Sequence, residues 1–439
     1  MSQPGPVAGL FALYVAAGGG LRVVGLDAAT GATVWSHRAS TSDVPPGEPP
    51  RLVIAGGSVV LVAPDLHGLA QLVAVDGRTG SQLWSAGPGV FADTASVCVD
   101  DPTAVCVSGA LASGIVEAGA LRFDLATGRR RATVHVPGPG PRQLGPGLYD
   151  AGARHPERLV ATRGAKVRWS RPLARIFPLL GASSDYGWNF ERLDRAGLFV
   201  GSVGTKPTTR GGRDTFDLAR SATAGFRIAD GKVLWRAPGR YLCVYLPCAG
   251  DGQAGYSTPH PVGNVTVGLR AVERGRWSFP RDNPDSLGAV SRDAGVVLQG
   301  FSPTSGRTLW RFDAGHNTGL ITSRLNPGQV DAHTMLLKRA GGSLMALNLA
   351  TGARHAVSSA TLAWCRNTLT YRQTHGYEIG DQTVHRYIGQ QAVGPCDARS
   401  QHPVAAPSPV PAFIGDIGAR IADTIAWSQT DGVIAARPG

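Results

Sequence analysis

The chain of 439 residues carries a formal charge of +12, with 59 Gly and 31 Pro but only 17% charged residues. Helix interiors exclude both Gly and Pro, and the two make up about a fifth of the chain, so a helical bundle is ruled out. A hydrophobic content of 43% rules out disorder as the main state and leaves many short strands joined by turns.

The first stretch, residues 7–21, holds no charge. Met1 to Pro6 supplies no Lys or Arg, and Gly18 to Gly20 interrupt the run, so it reads as a pair of strands rather than a secretory leader. It also falls short of the roughly 20 apolar residues that cross a bilayer. If the protein is exported, the targeting segment is expected to lie outside this sequence.

Self-similarity then dominates. Leu21-Arg-Val-Val-Gly-Leu-Asp27-Ala-Ala-Thr-Gly31-Ala-Thr-Val-Trp35 recurs as Gln71-Leu-Val-Ala-Val-Asp76-Gly-Arg-Thr-Gly80-Ser-Gln-Leu-Trp84. Weaker copies run through Asp124 to Gly128, Gly231 to Trp235, Gly306 to Trp310 and Asn348 to Gly352, and degenerate ones end at Trp169 and Trp277. The turn glycines, with Gly164 and Gly275 counted, number eight, at spacings of 49, 48, 36, 67, 44, 31 and 46. Those intervals cluster around the length of one four-stranded propeller blade. Within a copy, the alternating run is a half-buried strand. The Asp or Asn opens a turn by capping backbone N–H groups, and the Gly supplies the left-handed conformation. A Trp four residues later is too large for one hairpin to bury, so it is expected to pack on the neighbouring repeat.

Six cysteines fall into three local pairs: Cys98 with Cys106, Cys243 with Cys248, and Cys365 with Cys396. Cys98 and Cys106 flank a turn between β-rich runs and are placed to face each other across a hairpin. Locally paired cysteines suit an oxidising compartment, and an extracytoplasmic location, secreted or tethered, is expected from sulfur alone. No Cys-x-x-Cys unit points to zinc or redox chemistry.

The charge is uneven. Residues 1–121 hold 4 basic and 9 acidic side chains, residues 122–240 hold 22 and 9, and residues 241–439 hold 17 and 13. The excess sits in the middle, where the long interval between Gly164 and Gly231 carries Arg192, Arg195, Arg210, Arg213 and Arg220 beside Trp188, Phe190 and Phe216. Arg and aromatic residues concentrate binding energy, so this segment is the candidate binding loop for a protein partner or an anionic surface. Dense basic runs with interleaved aromatics are missing, which argues against nucleic acid. Near the end, a Pro-rich connection at 403–411 precedes strand-like runs within 421–436, expected to close a ring with the amino-terminal strands.

The repeat resembles that of the pyrroloquinoline-quinone-like β-propeller family, in the quinoprotein alcohol dehydrogenase-like superfamily, whose units read Ala-Leu-Asp-x-x-Thr-Gly-x-x-x-Trp. The resemblance covers about Leu13 to Gly352. It implies an all-β fold: residues 1–439 as a single β-propeller of seven or eight four-stranded blades, the eight turn glycines favouring eight. Family members include quinone-dependent dehydrogenases and the non-catalytic lipoprotein of the bacterial outer-membrane barrel assembly machinery. The enzymes need calcium ligands and, in the alcohol dehydrogenases, two adjacent cysteines. No two cysteines are adjacent here, and no acidic cluster has calcium-loop spacing. No catalytic, cofactor or metal residue is therefore carried over. The expected protein is a monomeric, non-catalytic, extracytoplasmic interaction scaffold without a cofactor; the alternative is a quinoprotein-like oxidoreductase with a divergent cofactor site.

Overall fold

The computed structural model describes residues 5–17, 20–40, 52–65, 69–91, 95–98, 101–111, 119–132, 142–145, 147–151, 157–163, 166–186, 189–242, 249–250, 267–281, 288–317, 334–338, 343–357, 362–366, 370–379, 382–390, 393–397, 419–421, 424–429 and 432–436. From residue 362 onward only the backbone is described. The fold is all-β, of the propeller class, built from successive antiparallel sheets. Two compact units divide the chain: Met1–Thr133 with Ser359–Gly439, and Val134–Ser358.

The first unit opens with a complete sheet, β1 (Gly5–Val7), β2 (Leu10–Ala17), β3 (Gly20–Asp27) and β4 (Thr33–Ala39), in that order. A second follows: β5 (Val53–Ala55), β6 (Ser58–Pro64), β7 (Ala70–Asp76) and β8 (Gln82–Phe91). Next come β9 (Ser96–Cys98), β10 (Asp101–Leu111) and β11 (Gly119–Asp124), joined to the second sheet where β10 pairs with β8. Apolar residues of alternating register fill the spaces between these sheets. Tyr14, Val23, Trp35, Leu61 and Val73 belong to one core cluster, and Val60, Leu72, Trp84, Val105 and Phe123 to the next.

In the second unit, β12 (Arg142–Gly145), β13 (Leu148–Asp150), β14 (Arg158–Arg163) and β15 (Lys166–Pro172) form a four-stranded sheet ending in a single helical turn, α1 (Leu173–Ile176). The short β16 (Ala182–Ser183) leads to β17 (Asn189–Leu193) and β18 (Leu198–Thr205). Beyond a hairpin of β19 (Thr208–Arg210) and β20 (Arg213–Asp217), the sheet resumes with β21 (Ala222–Arg227) and β22 (Val233–Pro238). The following sheet takes β23 (Arg240–Leu242), while β24 (Ala249–Gly250) pairs with β17. It continues with β25 (Gly268–Arg274), is interrupted by a hairpin of β26 (Arg276–Pro280) and β27 (Ala289–Val290), and finishes with β28 (Gly295–Phe301) and β29 (Thr308–Gly315). A three-stranded sheet of β30 (Thr334–Lys338), β31 (Leu344–Asn348) and β32 (Arg354–Ala356) ends the unit.

The first unit then regains β33 (Leu362–Arg366), β34 (Thr370–Ile379), β35 (Gln382–Gln390) and β36 (Val393–Asp397), paired as β33 with β36 and β34 with β35. β37 (Ala419–Ile421), β38 (Thr424–Gln429) and β39 (Gly432–Ala436) make a sheet of their own, with β37 packed beside β1. The Pro-rich connection at 403–411 lies outside the described residues.

Each well-formed repeat closes by one chemistry. Oδ1 of Asp27, Asp76 and Asp124 accepts from two backbone N–H groups and from the hydroxyl of Thr30, Thr79 or Thr127, all at 2.8–3.0 Å. Asn348 caps Ala350 and Thr351 in the same way. Because these donors favour the ionised carboxylate, the three Asp groups lie below the usual range; the Arg131 guanidinium beside Asp124 takes that one to about 2. Gly31, Gly80, Gly128, Gly231, Gly306 and Gly352 all sit at φ between 67° and 73°.

The tryptophans then reach the next sheet. The indole Nε1 donates from Trp35 to the Gly77 carbonyl, Trp169 to Ile228, Trp235 to Pro303 and Trp310 to Leu349, at 2.8–3.0 Å. The acceptor is always one residue past the turn-opening position of the next repeat. That repeat's turn glycine lies against the ring: a Cβ on Gly352 would come within 2.7 Å of Trp310 Cγ. Each such junction therefore needs Gly for its φ and again for its closeness.

Candidate binding face

The two interrupting hairpins leave the same place in neighbouring sheets. β19–β20 sits between the second and third strands of one sheet, and β26–β27 between the second and third strands of the next. They join into a separate four-stranded sheet in the order β19-β20-β26-β27. The first hairpin forms because Arg210-Gly211-Gly212-Arg213 places φ of +57° and +70° on its two central residues, the geometry of a tight turn that twists with its strands. Across the join, Arg213 pairs with Pro280, Phe216 with Trp277 and Asp217 with Arg276.

Phe216 and Trp277 therefore meet face to face, ring centroids 5.8 Å apart and 23° from parallel. Phe279 packs 5.0 Å from Trp277, and Tyr186 lies 5.6 Å from Phe216. This corrects the reading of Gly275 and Trp277 as a degenerate blade repeat. Gly275, at φ +88°, carries the chain from β25 into the inserted β26, and Trp277 belongs to the inserted sheet. Its offset of two residues from the glycine, against four in the true copies, was the available signal.

Beneath this sheet is a pocket walled by Tyr186, Phe216, Leu218 and Trp277. Its inner end holds a buried ion pair, Arg240 Nη2 to Glu273 Oε1 at 2.9 Å, with side chains only 9% and 4% exposed. Ser221 Oγ, also at the pocket, is buried without a hydrogen-bond partner among the described residues. Arg220 borders the mouth and donates from Nη2 to the Leu180 carbonyl at 2.5 Å.

The candidate arginines do not form one group. Arg210, Arg213 and Arg220 lie on or beside the inserted sheet and are exposed. Arg192 and Arg195 flank the turn joining β17 to β18, at the opposite end of those strands, and Arg192 Nε donates to Asp194 Oδ1 at 2.8 Å. The second hairpin, β26–β27, adds exposed Arg276 and Arg281, with Arg274 just before it. Asp214 and Asp217 are the acidic residues of β20, and β26 has none. The face is strongly cationic. Phe190 is fully buried in the core, and Trp188 lies outside the described residues.

Other polar clusters are closed or buried. Ser183 Oγ and the Ser184 N–H donate to Glu157 at 2.8 Å, and Ser184 Oγ to Asp150 at 2.6 Å, a network tying β13 and β14 to the chain ahead of β17. Glu191, 1% exposed on β17, accepts from the Tyr241 hydroxyl on β23, and its second oxygen has no partner among the described residues. Burial pushes its carboxyl up to about 7. Fifty residues separate the two, and no local pattern announces the contact. Among the described residues no group of three or more His, Cys, Asp or Glu is arranged to hold a metal ion.

Cys98 and Cys106 form a disulfide between β9 and β10. Cys243 and Cys248 lie outside the described residues, as do the side chains of Cys365 and Cys396, whose strands β33 and β36 pair.

Residues 6–149 match the family described as outer membrane protein assembly factor BamB. Among solved structures, the chain is similar to BamB from Moraxella catarrhalis, at 14% identity over 99% of this chain and 95% of that one, with a TM-score of 0.31. It is also similar to the quinohemoprotein alcohol dehydrogenase from Comamonas testosteroni, at 13% identity over 83% and 70% of the two chains, with a TM-score of 0.35. No curated protein matches the chain.

Proposed function

We propose, from the match of residues 6–149 to a family of pyrroloquinoline-quinone-like propeller repeats, that the protein is a non-catalytic, extracytoplasmic scaffold that binds another protein through its inserted sheet. Residues 1–439 then act as a single propeller whose blades are a frame for that face. The carrying observation is the joining of two hairpins from neighbouring sheets into one rigid cationic surface with stacked aromatics at its base. A surface held by two sheets loses little entropy on binding, and Arg with aromatic residues supplies the anchoring chemistry. The description of the matching family as an assembly factor supports a protein-binding role. The Cys98–Cys106 disulfide supports an oxidising location.

The test is a photo-crosslinker at Thr209, on the exposed β19, in living cells. A protein adduct is expected, lost when Arg210, Arg213 and Arg220 become Glu while the melting temperature holds. Capture that survives the charge reversal sinks the reading. The quinoprotein alternative is checked by adding pyrroloquinoline quinone and calcium and following dye reduction with alcohols or aldose sugars; turnover would favour it.

A further inference from the structure

Strand register gives the inserted sheet two unlike sides. Phe216, Trp277, Phe279 and Val290 share one side and pack into the core cluster of their unit. The register pairs Arg210 with Arg213, Thr215 with Ser278 and Asp217 with Arg276 alternate with them and project from the other side. This outer side carries three guanidiniums against one carboxylate, and Asp217 already accepts the Ala219 N–H with Oδ1. None of its described residues is aromatic or a large aliphatic. A partner there is held by charge and hydrogen bonds, with no apolar side chain to insert against.

The tip of the first hairpin points to an anion. Arg210 and Arg213 close its two-residue turn and stand directly opposite each other, a relation in which like charges repel. Arg213 is pinned there: its Nε donates to Ser278 Oγ at 3.0 Å and its Nη2 to the Ser278 carbonyl at 3.1 Å. Its Nη1 and the Arg210 guanidinium have no partner among the described residues. A carboxylate laid across the two relieves the repulsion and meets donors already in place. Arg276 lies level with Asp217, four residues along β20 from Arg213, which at the rise of a strand is about 13 Å. No single carboxylate spans that distance, but an extended chain does.

Resting on the reading of this sheet as protein-binding, we propose that its outer side receives an extended acidic segment of the partner, with one carboxylate shared by Arg210 and Arg213 and a second on Arg276. The aromatic side fastens the sheet to the core beneath it.

The experiment measures fluorescence anisotropy of the full chain with a labelled ten-residue peptide of alternating Glu and Thr, beside the same peptide with Gln for Glu. The Glu peptide is expected to bind at least tenfold tighter, its affinity falling as salt rises. Arg210→Thr should weaken it at least threefold without lowering the melting temperature, because the substitution removes a repulsion. Arg213→Lys should weaken it at least twofold, since Lys keeps the charge and lacks the fork. Reversal of Arg210, Arg213 and Arg276 to Glu should abolish binding. Reversal of Arg168, Arg195 and Arg307, exposed elsewhere on the same unit, should leave at least half the affinity. Equal losses from the two triple reversals overturn the proposal, as does undiminished binding by Arg210→Thr or Arg213→Lys. Binding of phosphatidylglycerol vesicles through the same three arginines, with no binding of the Glu peptide, overturns it in favour of a lipid surface. If the Thr209 adduct still depends on the arginines while the Glu peptide does not bind, the acidic-segment proposal alone has failed. An adduct indifferent to the arginines removes the face itself.

Discussion

The indole Nε1 of Trp84 donates to the carbonyl of Leu125 at 2.8 Å, linking the returning strand of one repeat, β8, to the turn of the next repeat that follows β11. The same turn brings Gly128 against the ring, so that a Cβ there would lie 2.6 Å from Trp84 Cε3. One side chain thus senses both the register and the spacing of its neighbour. Trp84→Phe keeps most of the buried ring but strands the Leu125 carbonyl, and is expected to cost about 1–2 kcal/mol. Gly128→Ala, at φ +67°, should cost at least as much, because strain and overlap add. Urea unfolding of both variants checks the pair; a neutral Gly128→Ala would contradict the described junction.

Glu191 gives stability a slope on the neutral side. In the unfolded chain its carboxyl ionises near the ordinary 4.5, in the folded protein near 7. Between those values the folded state binds the proton and the unfolded state has lost it. Stability contributed by this group is therefore complete below pH 4.5, falls as pH rises to about 7, and then levels off. Glu191→Gln should remove that slope, on the order of 3 kcal/mol over the window. Denaturation midpoints at pH 5 and pH 8, compared between the native chain and the variant, give the answer.

The repeat turns act with the opposite sign. Asp27, Asp76 and Asp124 have lowered carboxyl pKa values in the folded chain. Their stabilising contribution is present above the ordinary carboxylate range and is lost as pH falls through the folded values, which for Asp124 means towards about 2. Asp124→Asn keeps a capping oxygen but loses the charge opposite Arg131, and is expected to flatten the acid limb below pH 4. Acid unfolding followed by circular dichroism measures it.

The Cys98–Cys106 bond closes a short loop, with a sequence separation of 8. Loop-closure entropy for such a span is worth about 2.5 kcal/mol. Cys98→Ala with Cys106→Ala is expected to lower the urea midpoint accordingly and to reduce its sensitivity to reductant. A midpoint that still shifts with reductant would point to another bridge.

The frame was legible because its signals are local. Asp76, Gly80 and Trp84 lie within nine residues, and each does a job that its own chemistry demands. The inserted sheet was not legible, since Phe216 and Trp277 are 61 residues apart and meet only because two hairpins pair. Charge counting found Arg210 and Arg213 but grouped them with Arg192 and Arg195, since strand direction, which sends them to opposite ends, is invisible in composition. Gly275 and Trp277 imitate a repeat by residue type alone, since they stand two positions apart where Gly80 and Trp84 stand four apart. Glu191 and Tyr241 gave no warning, because a buried carboxyl looks like any other Glu until its neighbours are known.

The shared parentage of the inserted sheet has a consequence for anyone wishing to transplant or delete it. β20 finds its partner β26 in a hairpin rooted in a different sheet, so neither half is a self-sufficient cassette. Excising β26–β27 would leave β20 as a raw edge, able to recruit a strand from a second molecule. Grafting this sheet onto another propeller therefore means moving two insertions at once, into adjacent blades at matching connections.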